Sequence, residues 1–165
     1  MPIWVLVPAL VLAAIAQIAW LPALSVWGFK IDLALVLVVV WGLLGPIGQA
    51  AQWGFILGLV LDLGSGLPFG IHTLTLTLIG LGVGWSQTTF FRGNLVAPPL
   101  AIMLATILDH ILILALLALF DRRVVWIDYL TRITLPSGIL NTLVAPLVYF
   151  PLQWFQRWLY PQMEF

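Results

Sequence analysis

An aspartate and a histidine stand on either side of a glycine-rich turn in an otherwise apolar stretch, GFILGLVLDLGSGLPFGIH. Asp62 closes the apolar run before the turn, and His72 lies just inside the run that follows it. A carboxylate near a membrane boundary is costly unless it is hydrated or paired. The backbone N–H groups of the turn could hold this one, and His72 could approach it across the hairpin. Asp62 is therefore interpreted as a cap that locks the turn, with a polar anchor for a ligand or partner as the alternative.

Two further carboxylates lie in or beside apolar runs. Asp32 begins such a run, where a carboxylate favours the positive end of a helix dipole, so capping is its expected role. Asp109 lies near the middle of a long run, where an ionisable side chain is a functional candidate by default. We expect Asp109 to be either protonated or hydrogen-bonded to Asn141 or Thr142. A proton relay would require a chain of such groups, and the sequence shows one.

The remaining polar residues form no catalytic set. The chain contains no cysteine, which excludes disulfides, thiolate metal sites and a cysteine nucleophile. Two histidines and a few carboxylates make neither a metal cage nor a Ser-His-Asp arrangement. The formal net charge is zero, so there is no basic footprint for nucleic acid. We therefore expect no enzymatic activity, no cofactor, no metal and no nucleic-acid partner.

The solvent implied by the composition is a lipid bilayer. Of the 165 residues, 63% are hydrophobic and 7% are charged, whereas about a quarter of a soluble domain is charged. The nine tryptophans and nine phenylalanines suit aromatic belts at the two interfaces. The connecting segments are too short to hold a folded module of their own. A single integral-membrane helical domain over residues 1–165 is expected.

Apolar runs of about 20 residues predict membrane-spanning helices. We expect an all-α fold of about six spanning helices in one bundle, the first retained rather than cleaved because it lacks a basic leading segment. The charged segment 121–132 is expected to lie along an interface, with its apolar side chains in lipid and its arginines in water. The predicted spans are Ile3–Leu24, Ile31–Leu44, Gln49–Leu63, Pro68–Trp85, Leu95–Phe120 and Leu135–Trp154.

Six crossings gather most of the ionisable residues at one water boundary. The starts of spans two and four and the ends of spans three and five then lie on the same side, whichever way up the protein sits. Counting lysines and arginines favours this charged side as cytoplasmic by a narrow margin. Its residues are Lys30, Asp32, Asp62, His72, Asp121, Arg122, Arg123, Asp128 and Arg132.

Small residues recur at intervals of four in spans three and four, which places them on one face of each helix. Gly54 and Gly58 precede Asp62 at this spacing, and Gly80 and Gly84 repeat it in span four. Small residues let another helix backbone come close. Packing within the chain is the expected use of these stripes, and packing against a partner is the alternative.

Spans two to four resemble the rod-shape-determining membrane protein family MreD, over about residues 31–84. That family typically starts its second span with Pro-Asp-Leu and closes a glycine-rich third span in Asp-x-x-x-Gly-x-Pro-x-Gly. Ile31 stands where the family often has proline. The matching positions in this sequence are Asp32, Leu33, Gly54, Gly58, Asp62, Gly66, Pro68, Gly70 and His72.

The resemblance implies a non-enzymatic scaffold of the bacterial cell-elongation machinery in the inner membrane. Its implied partners, besides membrane lipids, are an MreC-like bitopic protein, the cytoskeletal protein MreB, and a RodA-type glycosyltransferase with its transpeptidase. The implied fold is similar to the six-helix S components of energy-coupling-factor vitamin transporters. Both termini are then cytoplasmic, which we adopt against the narrow charge count. The hairpin and partner-interface candidates are the matching positions above except Leu33, and Asp109 and Asn141 are the intramembrane polar candidates.

A second interpretation is an S component that captures a small vitamin, with a pocket near Asp62, His72 and Asp109. The chain length and the number of helices fit both interpretations equally. A pocket of this kind is normally lined by more convergent polar groups than the sequence offers. The scaffold is therefore the first hypothesis and vitamin capture the alternative.

Overall fold

The structure, a computed structural model, describes residues 3–19, 30–86, 97–120 and 126–159, and most of these residues are helical, with short turns between the helices. These ranges contain no strand, so the predicted all-α class is confirmed for them. A helix satisfies its backbone N–H and C=O groups internally, which an apolar solvent demands. The helices are α1 (Ile3–Ala19), α2 (Leu33–Leu44), α3 (Gln49–Gly64), α4 (Ile71–Ser86), α5 (Ala97–Leu119), α6 (Trp126–Tyr129) and α7 (Leu135–Leu159).

The central helix of the fold is α2. It contacts α1, α3, α4, α5 and α7, and most of its residues are buried. Its sequence, LALVLVVVWGLL, is apolar around the whole circumference, as expected of an interior helix. Its 12 residues extend about 18 Å at 1.5 Å per residue. That is shorter than the roughly 30 Å hydrocarbon layer. The contacts and burial of α2 make it the core around which the longer helices pack.

Two helical segments are long and apolar enough to cross a membrane. They are Pro98–Leu119, within α5, and Trp126–Trp158, which runs from α6 through α7. The apolar helices Leu6–Ala19, Leu33–Leu44 and Ile71–Ser86 are shorter. The six main helices follow the order and approximate positions of the six predicted spans, and the number that cross the bilayer stays a prediction.

The segment expected to lie along an interface differs from that expectation where it is described. Residues 121–125 lie outside the described residues. From Trp126 onward the chain forms one continuous helix, in which α6 leads through a π-helical turn, Leu130–Thr134, into α7. This part of the segment is therefore the beginning of the last helix and not a separate interfacial one.

Proline explains the π-helical turn at the start of α7. The N–H of Leu135 bonds to the carbonyl of Leu130, five residues earlier. Pro136 follows at once, and a proline ring clashes with the carbonyl four residues before it and offers no N–H. The widened turn accommodates Pro136 without ending the helix.

The most extensive contact between helices joins α3 and α4. Glycine makes it possible: a Cβ atom on Gly54 would collide with the carbonyl group of Leu76, and one on Gly58 with the backbone at Thr73. From the other side, a Cβ on Gly80 would lie 2.5 Å from the carbonyl oxygen of Ala50. The small-residue stripes are thus used within the chain, as expected, and α4 covers the α3 face that carries them.

An aromatic stack fixes α2 against α3 toward the opposite end of the hairpin. The rings of Trp41 and Trp53 are parallel within 7°, with centroids 4.4 Å apart. The indole Nε1–H of Trp41 donates to Oε1 of Gln49 at 3.2 Å. Phe155 of α7 packs against the same tryptophan, with ring centroids 6.4 Å apart. These rings join three helices of the core.

Candidate functional site

The carboxylate of Asp62, at the end of α3, binds the first turn of α4. Its Oδ1 accepts the N–H of His72 at 2.9 Å. Its Oδ2 accepts the N–H groups of Gly70 and Thr73, at 2.9 and 3.0 Å, and the hydroxyl of Thr73 at 2.6 Å. The first N–H groups of a helix have no intrahelical partner, and a carboxylate favours that positive end. Asp62, only 4% exposed, therefore caps the helix that follows its own.

The turn between the two helices brings the donors into place. Gly70 has φ +100, a left-handed conformation that glycine adopts without steric cost. The carbonyl of Pro68 accepts the N–H of Ile71 at 3.4 Å. Gly66 has open space around its Cα. The capping role expected for Asp62 is confirmed, and the contact of His72 with it is made by the backbone N–H.

An apolar groove of about 440 Å³ lies on the outer side of the α3–α4 hairpin. Phe55 and Phe69 are exposed at this groove. The hydroxyls of Thr73 and Thr77 are already bonded, to Asp62 and to the Thr73 carbonyl, so the groove offers mainly hydrocarbon. We call this recess the hairpin groove. Its lining residues are Phe55, Leu59, Phe69, Gly70, Thr73, Leu74 and Thr77.

A second polar cluster surrounds the N-terminus of α2. Oδ1 of Asp32 accepts the N–H of Leu35 at 2.9 Å and the Nε2–H of Gln17 at 3.0 Å. Oε1 of Gln17 in turn accepts the N–H of Ala34 at 2.6 Å. The N–H of Asp32 donates to Oδ1 of Asn141 at 2.8 Å. The expected capping role of Asp32 is confirmed, and its side chain ties α2 to α1, not to the α3–α4 hairpin.

Asn141 continues this cluster into α5. Its Nδ2–H donates to Oγ1 of Thr106 at 3.1 Å, and that hydroxyl donates to the carbonyl of Ile102. The neighbouring Thr142 donates to the carbonyl of Gly138, in its own helix. The expectation that Asn141 or Thr142 binds Asp109 is therefore wrong, because both side chains form hydrogen bonds with other groups.

Asp109 follows Thr106 by three residues, which places both on one face of α5. It is 2% exposed, and Thr75 of α4 is a neighbouring polar residue. Among the described residues, no donor reaches its Oδ1 atom. Asp32 is the other carboxylate whose charge acts on it. The structure thus brings the intramembrane candidates Asp109 and Asn141 to the same end of the bundle as Asp32.

The histidine next to Asp109 has different neighbours, as expected of adjacent helix positions. Nδ1 of His110 lies 3.0 Å from the hydroxyl of Thr134, in the π-helical turn. Its imidazole ring packs edge-on against Tyr129, with centroids 5.6 Å apart. His110 therefore fixes the beginning of the last helix against α5.

The sequence interpretation missed three members of the polar cluster. Gln17 is the single polar side chain of α1, and that isolation was an available signal. Thr106 stands three residues before Asp109, a spacing that places their side chains on one face. Thr75 gave no comparable signal. Among the described residues, no group of three or more histidine or acidic side chains could hold a metal ion.

Comparison with protein families matches residues 2–159 to the family described as rod shape-determining protein MreD. The match covers nearly the whole chain, well beyond the stretch that carries the sequence resemblance. Comparison with curated proteins and with solved structures gave no match.

Proposed function

The chain belongs to the MreD family of rod shape-determining membrane proteins, and from this membership we propose that it is a non-enzymatic scaffold of the bacterial cell-elongation complex. In this role it binds an MreC-like bitopic protein in the inner membrane. The complex then couples MreB filaments to peptidoglycan synthesis by a RodA-type glycosyltransferase and its transpeptidase. The protein itself contributes geometry and no chemical step.

The single observation that supports this role is the locked α3–α4 hairpin. Four hydrogen bonds to Asp62 close one end of it. Glycine contacts such as that of Gly54 against Leu76 bring the two backbones together along its length. Interactions that join two helices this closely leave little freedom to slide or splay. A scaffold needs such a fixed surface, because a partner that docks on it then acquires a defined position.

The surface that this hairpin presents is the hairpin groove. A bitopic partner offers one apolar transmembrane helix, and in lipid such a helix associates through close packing because lipid tails are equally apolar. The groove provides a recess between exposed aromatic side chains, with Phe69 at the turn and Phe55 farther along α3. We propose that the helix of the MreC-like partner lies in this groove.

The proposed topology is six crossings with both termini in the cytoplasm. The polar groups at Asp32, Asp62 and Asp128 then lie toward the periplasmic boundary, where the large part of an MreC-like protein is located. Attachment of an impermeant reagent to single cysteines at Lys30 and Asp128 tests this arrangement, because the natural chain has no cysteine. Both positions should react from the periplasm, and reaction from opposite compartments would contradict the topology.

Filling the hairpin groove tests the proposed function. Leu74 lines it and is 47% exposed, so Leu74→Trp should leave the core intact while occupying the recess. Leu143→Trp, on the outward face of α7 and 67% exposed, is the matched control. Co-purification of the MreC-like protein should fall several-fold with the first substitution and persist with the second. Equal recovery with both variants would contradict the assignment of the groove.

Vitamin capture requires a cavity with convergent polar groups. The hairpin groove is apolar and open along the outside of the hairpin. The scaffold is therefore the function that the observations favour.

A further inference from the structure

The turn between α3 and α4 lies at the same level of the bundle as the beginning of α2, measured along the helix axes. A Cβ atom on Gly42 of α2 would lie 2.8 Å from the side chain of Val83 of α4, so these two positions are neighbours. The two helices run in the same direction, because α3 turns back along both. Asp32 and Thr73 each precede this contact by ten residues, about 15 Å. Since Thr73 is bonded to Asp62, the turn is level with Asp32.

The pair formed by α5 and the last helix continues beyond this level. The N–H of Asp32 donates to Asn141, and the Asn141 amide donates to Thr106, so these three residues are level with one another. From Thr106, α5 runs on to Leu119, about 20 Å farther. In the last helix, Arg132 lies nine residues before Asn141, about 13 Å beyond the common level. The α3–α4 hairpin therefore ends well short of its neighbours.

The surface of the projecting part of α5 is apolar. Residues 111–120, ILILALLALF, contain no polar side chain. The exposed members include Ile111, Leu119 and Phe120. On the last helix, exposed charges are reached at Arg132, which lies 3.9 Å from Asp128. A water boundary at the level of Thr106 would leave only about 13 Å of α5 in hydrocarbon and the rest of its apolar surface in water. On this side, the hydrocarbon therefore extends at least to Arg132.

The α3–α4 turn requires water at a lower level. Residues 65–70 are not helical, and Gly66 is exposed. Irregular backbone does not occur against lipid tails, because its N–H and C=O groups would lack hydrogen-bonding partners. Lys30, two residues before Asp32, is also exposed near this level. The helices α3 and α4, of 16 residues each, extend about 24 Å, which is less than the roughly 30 Å hydrocarbon layer.

We propose that the protein thins the bilayer beside the α3–α4 hairpin, where phospholipid headgroups and their water descend to the turn at Asp62. The boundary drops by about 13 Å between Arg132 and this turn. Local thinning is one way in which a bilayer accommodates a helix shorter than its hydrocarbon layer. Phe69 belongs to both the turn and the hairpin groove, so the thinned leaflet borders the proposed docking surface. The thinning rests on the proposed crossing of the bilayer by the hairpin and is independent of the MreC-like partner.

Spin-label accessibility tests the thinning in the full-length protein, reconstituted alone in vesicles of phosphatidylcholine and phosphatidylglycerol. The natural chain has no cysteine, so single cysteines can be labelled at exposed positions without disturbing the core. Gly66 reports on the turn, and Leu104 and Leu108 report on α5 on either side of Thr106. Collisions of each label with a water-soluble nickel chelate, and with oxygen, which concentrates in hydrocarbon, measure its depth.

The ratio of nickel to oxygen collisions should be several-fold higher at Gly66→Cys than at Leu104→Cys or Leu108→Cys, although the three positions are nearly level. Similar ratios at the turn and on α5 would overturn the thinning, whether both report lipid or both report water. Leu81→Cys, exposed near the middle of α4, is the control and should report lipid. Water at Leu81 would contradict the crossing of the hairpin and with it the proposed topology, whereas lipid at both Leu81 and Gly66 would overturn the thinning alone.

Discussion

Asp62 and Thr73 are joined twice: the carboxylate of Asp62 accepts the Thr73 N–H at 3.0 Å and the Thr73 hydroxyl at 2.6 Å. Asp62 lies in the last turn of α3 and Thr73 in the first turn of α4, so one side chain ties the two helices together at their turn. The two residues are only 11 positions apart in the sequence. Their contact fixes the angle between the two helices that make the most extensive contact of the fold.

Asp62→Asn should destabilise the hairpin, because the amide NH2 of asparagine faces backbone N–H groups that need an acceptor. We expect a loss of about 2–3 kcal/mol in the free energy of unfolding, since buried donors lose bonds to a charged acceptor. Unfolding by SDS titration in mixed micelles measures it. The control is Asp128→Asn, which removes an exposed carboxylate 3.9 Å from Arg132 and should cost less than about 0.5 kcal/mol. Similar losses for the two variants would refute the lock.

Gly58→Ala should separate α3 from α4. The added Cβ would lie 2.6 Å from the carbonyl oxygen of His72, and backbone cannot move aside as a flexible side chain can. We expect a loss of about 1–3 kcal/mol from overpacking. Gly82→Ala, on α4 with open space around its Cα, should be neutral or stabilising by up to about 1 kcal/mol through helix propensity. The same SDS titration compares them, and a harmless Gly58→Ala would show that the close contact is absent in the bilayer.

Gly70→Ala should strain the turn, because φ of +100 is unfavourable for a residue with a Cβ atom. The expected loss is about 1–3 kcal/mol, typical of a residue held in such a region. Gly66→Ala, in the same turn and with open space around it, is the matched control and should be nearly neutral. Thermal unfolding of the two variants side by side distinguishes strain from a general sensitivity of the turn.

Asn141→Leu should weaken the junction of α2, α5 and α7. The substitution removes the acceptor of the Asp32 N–H and the donor to Thr106. Loss of these two hydrogen bonds, one of them fully buried, should cost about 2–4 kcal/mol, partly offset by the added apolar surface. Thr142→Val changes the next residue, whose hydroxyl donates to the carbonyl of Gly138 in its own helix, and should cost much less. Equal effects on the midpoint of thermal unfolding would count against the junction.

The hairpin could be predicted from sequence because its determinants are local. Asp62 precedes a turn of glycines and a proline, and the first N–H groups of the next helix come within the following ten or so residues. The interval of four between Gly54 and Gly58 fixes which face of α3 approaches its neighbour. Both features depend on residues close in the chain, so pattern and chemistry pointed to the same structure.

The polar cluster at α2 could not be predicted, because it depends on how distant helices rotate and stack. Asp32 bonds to Asn141 across 109 residues, and Asn141 to Thr106 across 35. Helices that are apolar on every side give little information about which face meets which neighbour. This is why Asp32 was grouped with the hairpin, and why Asp109 was paired with Asn141, whose amide bonds to Asp32 and Thr106 instead.

Site-specific photo-crosslinking from the hairpin groove tests the central claim most directly. A benzoyl-phenylalanine in place of Phe55 or Phe69 changes exposed aromatic side chains that line the groove, and the same residue at Leu143 on α7 is the control. Irradiation of membranes that contain the MreC-like protein should give a covalent adduct with it from both groove positions and not from Leu143. An adduct from Leu143 alone, or no groove adduct from variants that still co-purify the partner, would contradict the account.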